Sequence, residues 1–318
     1  MEIHIRRTLT LAVIILSVFT SALSDHGFFL FSIALICLVG IPHGATDHLL
    51  FFALIKKSAV QQKQLRLRFY AAYLGVMAGY GFLWYLFPHI SFLIFILVSF
   101  YHFGQENLAG IKWRSNSVKY YSFFMSGVFV LATPLLADME AAWPIIKTLL
   151  GNKIDMAVNF ETCRMLAYGT GGIYGIYLLA LLATKNMELS HGLQELMHWA
   201  ILLTVFISTP LLVGFAVYFS LWHAIPSMVK QIDFMKKNKL NYGIIQHLVN
   251  VAPYTIASLA GIFIGLYFLK DSSMAAQTGI GFMFLSIITL PHILLMDRFH
   301  ELSGYAETSP ADRATVLT

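Results

Sequence analysis

Long apolar runs separated by short polar connections dominate this chain. Runs of about 18 or more apolar residues with few charges are what a helix needs to cross lipid, where every backbone polar group must be satisfied within the segment. The pattern predicts about nine such segments, near 8–24, 27–55, 69–87, 89–108, 120–137, 164–184, 199–223, 244–269 and 275–296. No connection is long enough for a soluble domain. The expected architecture is an all-α, polytopic integral membrane helix bundle of about 8–10 transmembrane helices, one domain over 1–300 with a mobile polar tail over 301–318. The first segment follows Arg6 and Arg7 and ends in small residues, so a cleaved leader competes with a retained first helix; a polytopic chain favours the latter.

Composition strengthens this picture. Of 318 residues, 58% are apolar and 12% charged, about half the charged share of a soluble domain. The net charge of +5 is scattered over short segments, with no continuous basic face to track a phosphate backbone, so nucleic acid is not the expected partner. The two cysteines, Cys37 and Cys163, lie in apolar surroundings and read as core residues, not as a disulfide or a zinc site.

Lysine and arginine accumulate on the cytoplasmic side of membrane proteins. Arg6 and Arg7 therefore put the N-terminus inside, as do Lys56, Lys57, Lys63, Arg66 and Arg68 for their loop, and Lys112, Arg114 and Lys119 for theirs. If each segment crosses once, Lys230, Lys236, Lys237 and Lys239 land outside. The parity fails between 120 and 230, through a partial crossing near 141–160 or a segment that does not span. The charge rule takes 199–223 from outside to inside and places both termini in the cytoplasm, with the chain in the cytoplasmic (inner) membrane.

Twelve histidines are many for such a chain, because polar side chains in lipid are costly and usually functional. His4, His26, His89, His191 and His300 fall at segment ends or loops, where a solvated imidazole needs no further account. His198 and His247 start helices and read as structural. Four others sit in short polar islands: His43 in the island at 40–48, His102 in that at 101–107, His223 in that at 221–227 and His292 in that at 290–297. With a helical rise of about 1.5 Å per residue, all four reach a similar depth. Imidazoles at one level on separate helices can converge on a metal ion. Asp47, four residues after His43, and Asp297, five after His292, are placed to accept the second ring N–H of a ligating histidine. Glu106 and Asn107 either orient a water or ligand or form a solvated helix end.

Imidazole sets suit iron, copper, zinc or nickel. The lack of cysteine at the islands and a hydrocarbon setting that admits apolar substrates favour iron and O₂ chemistry. The H-x-x-x-H and H-x-x-H-H pairs of membrane di-iron enzymes do not occur, and His43 and His48, five apart, turn away from each other on an ideal helix. Aromatic residues beside the islands, among them Phe100, Tyr101, Phe103, Tyr218, Phe219 and Trp222, read as helix packing.

The islands P-H-G-A-x-D at 42–47, H-F-G at 102–104, Trp222-His223 and P-H-x-L-L at 291–295 resemble, in order, those of the bacterial Brp/Blh family of β-carotene 15,15′-dioxygenases. The similarity runs from about residue 27 to 300, and the first island is its most specific part. The resemblance implies an Fe(II) enzyme that uses O₂ to cleave the central double bond of β-carotene into two molecules of retinal. It implies iron held by histidines of the first two islands and by an H-x-x-x-H pair in the third. His43 and His102 match, and His223 matches the first of the pair; Ser227, after Pro226, stands where the second would be. The fourth ligand is then His292 or water, with Ser227 beside the ligands. The implied partners are β-carotene or a related carotenoid entering from lipid, O₂, membrane lipids and a retinal-binding opsin. A catalytically inactive relative that hands carotenoid or retinal to an opsin is the alternative. A histidine-lined transporter would string its polar groups across the full depth, whereas here they gather at one level.

Overall fold

The computed structural model describes residues 25–55, 59–151, 157–238 and 241–305. The expected first helix at 8–24 and the tail from 306 onward lie outside the described residues. Every regular element among the described residues is helical: α1 (Asp25–Leu35), a π-helical stretch π1 (Ile36–Gly40), α2 (Ile41–Gly44), α3 (Asp47–Leu54), α4 (Ala59–Leu86), α5 (Pro88–Asn107), α6 (Asn116–Ala137), α7 (Met139–Leu149), α8 (Phe160–Ala183), α9 (Leu189–Ser208), α10 (Leu211–Val217), a second π-helical stretch π2 (Tyr218–Ala224), α11 (Ile225–Asn238), α12 (Ile244–Phe268) and α13 (Met274–Tyr305). Seven helical stretches among the described residues are long and apolar enough to cross a membrane: Gly27–Leu54, Pro88–Asn107, Asn116–Ala137, Phe160–Ala183, Leu211–Lys237, Ile244–Phe268 and Met274–His300. α4 and α9 are of similar length but begin with polar turns. The chain folds as a polytopic helical membrane protein.

Two sequence expectations need correction. The segment read as one helix at 199–223 is two, because Pro210 interrupts it after Ser208 and leaves α9 and α10 on either side. A proline offers no N–H to continue the ladder, and it forces the residue before it out of the helical region; Thr209 is extended there. α6, α8, α9 and the α10–π2–α11 rod therefore make four long helices where three were counted, and the basic residues of α11 return to the end occupied by those after α5. Lys230 in fact lies 3.5 Å from Glu106, near the C-terminal end of α5. α7, of 11 residues, spans about half of a hydrocarbon core. The second correction concerns the cysteines, which are free but only half-buried.

The interior is built where α5, α6, α8, α9 and the π2 rod meet, around Phe103, Phe129, Tyr174, Leu178, Leu202, Phe206 and Tyr218. α5 and α6 cross without intervening side chains. A Cβ on Gly104 would strike the backbone carbonyl of Phe123, and one on Gly127 that of Phe100; only glycine permits such an approach. α12, by contrast, turns Ile245, Val249, Ile256, Phe263 and Phe268 outward. Such a surface suits lipid.

Candidate metal centre

The first island is helical on both sides of a break. π1 ends at Gly40 and hands over to the single turn of α2, which carries His43 directly after Pro42. The chain bends at Ala45–Thr46, where Thr46 Oγ donates to the His43 carbonyl at 2.9 Å, and Asp47 opens α3. His223 lies in π2, which packs against π1. A π turn adds a residue to the helix and re-aims the side chains after it, which is why such turns recur at functional sites. His102 is near the C-terminal end of α5, beside the glycine crossing with α6, and His292 follows Pro291 within α13.

These four elements bring the four histidines together. Ring centroids run 5.0 Å from His43 to His223, 5.1 Å from His223 to His102, 5.5 Å from His102 to His292 and 4.9 Å from His292 back to His43. The rings form a closed circuit, each meeting its neighbours edge to face. All four are at most 5% exposed. His43, His102 and His223 each offer a ring nitrogen such that the three atoms lie within 4.8 Å of one another; imidazoles around a tetrahedral ion with ordinary bond lengths place theirs about 3.4 Å apart. Phe103 and Phe219 flank His223 at 4.5 and 5.5 Å between ring centres, and line that side with hydrocarbon.

The hydrogen bonding tests whether a metal fits. Both ring nitrogens of His43 and of His102, Nδ1 of His223 and Nε2 of His292 are buried with no hydrogen-bond partner. Six unpartnered nitrogens in one place would be costly in a folded interior; a neutral imidazole carries one lone pair, so an ion relieves that cost at one nitrogen of each ring it binds. The residues fit a metal held by neutral imidazoles. No cysteine or carboxylate belongs to the triad.

The carboxylates are arranged differently from expectation. Asp47 pairs with His292, not His43: its Oδ1 is 2.7 Å from His292 Nδ1, while neither ring nitrogen of His43 has a hydrogen-bond partner. Asp297 faces away from His292, accepting from Gln105 Nε2 at 3.0 Å and from the Tyr101 hydroxyl at 3.4 Å; five residues along a helix turn a side chain about 140° from the first. Ser227 is fully buried and donates to Glu106 Oε1 at 3.4 Å while accepting from Gln231 at the same distance.

Of the two readings the sequence left open for Glu106, burial removes the solvated helix end. Glu106, one turn beyond His102, is 4% exposed. His300, expected in solvent, instead sets Nε2 2.6 Å from Glu106 Oε1, and Lys230 Nζ reaches Glu106 Oε2 at 3.5 Å. The signal was present in the i, i+4 spacing of His102 and Glu106 and in the i, i+4, i+8 series of His292, Met296 and His300. Tyr73 was missed by the sequence reading: its hydroxyl donates to Asp47 Oδ2 at 2.8 Å, a contact between α4 and α3 that no local spacing announces. His48 packs against Tyr254, its ring tilted by 33° at 4.0 Å between ring centres.

Comparison with known proteins points to one family. A relative from uncultured marine bacterium 66A03, described as Beta-carotene 15,15'-dioxygenase, is 25% identical over 276 residues, covering 84% of this chain and 92% of its own length. No solved structure matches. The family profile described as Beta-carotene 15,15'-dioxygenase matches residues 34–300, a span that contains all four converging histidines, and the chain belongs to that family.

Proposed function

We propose that this protein is an Fe(II)-dependent dioxygenase of the cytoplasmic membrane that cleaves the central double bond of β-carotene, or of a closely related carotenoid, with O₂ to give two retinal molecules. The observation that carries this reading is the buried circuit of His43, His223, His102 and His292 with its unpartnered ring nitrogens. Membership of the dioxygenase family supports it.

His43, His102 and His223 would hold the iron, with His292 as a fourth donor and Asp47, Asp297 and Ser227 in the polar surroundings. Iron in such a site supplies the means to bind and reduce O₂. The protein's own tasks are then set by the substrate. A polyene offers no acidic proton and no polarised carbonyl, so acid–base side chains have nothing to act on. What remains is to orient the polyene, exclude water and hold the imidazoles neutral. Phe103 and Phe219 beside His223 give the centre an apolar wall on which a conjugated chain can lie. β-Carotene dissolves in the lipid that surrounds these helices and is about as long as the hydrocarbon core is thick, so it enters laterally, and retinal leaves to lipid or to a retinal-binding opsin. With basic loops inside, both termini are cytoplasmic.

The test uses protein purified in detergent, stripped of metal and reloaded with Fe(II) without oxygen. Given β-carotene and then air, the wild type should consume O₂ and form retinal, whereas His43→Ala, His102→Ala and His223→Ala should lose iron and retinal formation while remaining folded. A bound but unchanged pigment in the iron-loaded wild type would overturn the proposal in favour of a carrier, and full activity in all three variants would overturn the site.

A further inference from the structure

The four histidines are not held alike. His43 and His102 have no hydrogen bond at either ring nitrogen, whereas His292 has Nδ1 2.7 Å from Asp47 Oδ1 and only Nε2 without a partner. The other oxygen of that carboxylate is taken by Tyr73, whose hydroxyl donates to Oδ2 at 2.8 Å. Both members of the Asp47–His292 pair are buried, with side chains 5% and 6% exposed. Tyr73 belongs to α4, a helix that carries none of the four histidines.

We propose that Tyr73 is a positioning residue for the metal centre: through Asp47 it fixes the tautomer and the aim of His292. This rests on the reading that the histidines hold a metal. An ionised aspartate only accepts hydrogen bonds, so a neutral His292 must donate from Nδ1, and its single ring proton is then committed there. The lone pair is left on Nε2, the nitrogen without a protein partner. A carboxylate with one oxygen free can turn about its Cβ–Cγ bond and release the imidazole; the Tyr73 hydroxyl occupies that oxygen and anchors the carboxylate to a second helix. Partners of this kind orient a ligating histidine and strengthen it as a donor, and their loss typically costs about 10- to 100-fold in metal affinity. His292 thereby acts as the ring with a set direction, around which His43 and His102, with neither nitrogen hydrogen-bonded, adjust.

The test titrates Co(II), a spectroscopic stand-in for Fe(II), into metal-free protein in detergent and reads affinity and visible absorption. Tyr73→Phe should weaken binding by about tenfold and alter the Co(II) bands, with the metal-free protein still folded. Asp47→Asn should do the same, which provides a second variant. In a His292→Ala background, Tyr73→Phe should cost nothing further, because its route to the ion is gone. Equal loss from Tyr73→Phe in both backgrounds, or wild-type affinity and spectrum in Tyr73→Phe and Asp47→Asn, overturns the inference while a failure of His43→Ala to bind keeps the metal site itself standing. If wild type and His43→Ala alike bind no Co(II), the metal reading falls and this inference with it.

Discussion

His300 Nε2 and Glu106 Oε1 lie 2.6 Å apart, joining the last helix to α5 just beyond the histidine circuit. The carboxylate also meets Lys230 and Ser227, so one side chain, 4% exposed, ties three helices at their common end. Removing the acceptor leaves the opposing groups without their partner where the side chains are largely buried. Glu106→Ala should therefore destabilise the protein by about 2–4 kcal/mol, below the full cost of breaking a buried pair because Lys230 retains some access to solvent, its side chain being 27% exposed. Glu106→Gln, which keeps the shape and an acceptor oxygen, should lose less. Chemical denaturation in mild detergent reads both, and equal stability of Glu106→Ala and wild type would show that the cluster contributes nothing.

Glycine at the α5–α6 crossing makes a second prediction. The Cβ of Gly104→Ala would collide with the Phe123 carbonyl and that of Gly127→Ala with the Phe100 carbonyl, and backbone cannot rotate aside as a side chain can. Each substitution should cost about 3 kcal/mol or more, the upper part of the range for overpacking, and lower the yield of folded protein. Gly44→Ala is the control, since a Cβ there meets nothing within 4 Å. Melting temperature and the monodisperse fraction in detergent would check the contrast; a Gly104→Ala variant as stable as wild type would mean that the helices cross less closely.

What the sequence made legible was the set of elements that repeat a local rule. Apolar runs located the helices, and polar islands at one depth singled out His43, His102, His223 and His292, because a buried imidazole must be accounted for wherever it occurs. Pairings across helices were not legible. Asp47 was assigned to His43 by spacing along one helix, whereas His292 of α13, 245 residues away in sequence, supplied the closer nitrogen. Asp297 was assigned to its own helix neighbour, whereas α5 supplied closer donors in Gln105 and Tyr101. His300 read as solvated because its burial is imposed by α5 and α11, far away along the chain. The Pro210 break hid inside an apolar run, since hydropathy records composition and not the missing N–H.

Metal binding should be visible as stability. Because the unpartnered nitrogens exist as a set only in the folded state, an ion that binds them stabilises that state by mass action, about 2.7 kcal/mol at a free concentration 100 times Kd. Fe(II) under anaerobic conditions, or Co(II), should raise the melting temperature of metal-free wild type, and a chelator should reverse the rise. His223→Ala should melt near the metal-free wild type and show no rise. An identical rise in that variant would place the binding elsewhere on the protein.

The last prediction concerns the contact between the two π-helical stretches. A Cβ at Gly40, the end of π1, would run into the ring of Phe219, and that ring stacks on His223 at 5.5 Å with 16° between planes. Gly40→Ala should thus displace Phe219 against His223 and lower metal affinity several-fold, up to about tenfold or 1.4 kcal/mol, with little change in metal-free stability because a side chain can yield where backbone cannot. Shortening the obstructing ring in Gly40→Ala/Phe219→Leu should recover affinity, so that the two changes are strongly non-additive. Co(II) titrations of the two single variants and the double variant measure the coupling directly. Additive losses would mean that Gly40 and Phe219 influence His223 by separate routes, and that the packing of π1 on π2 does not set the aim of the ring.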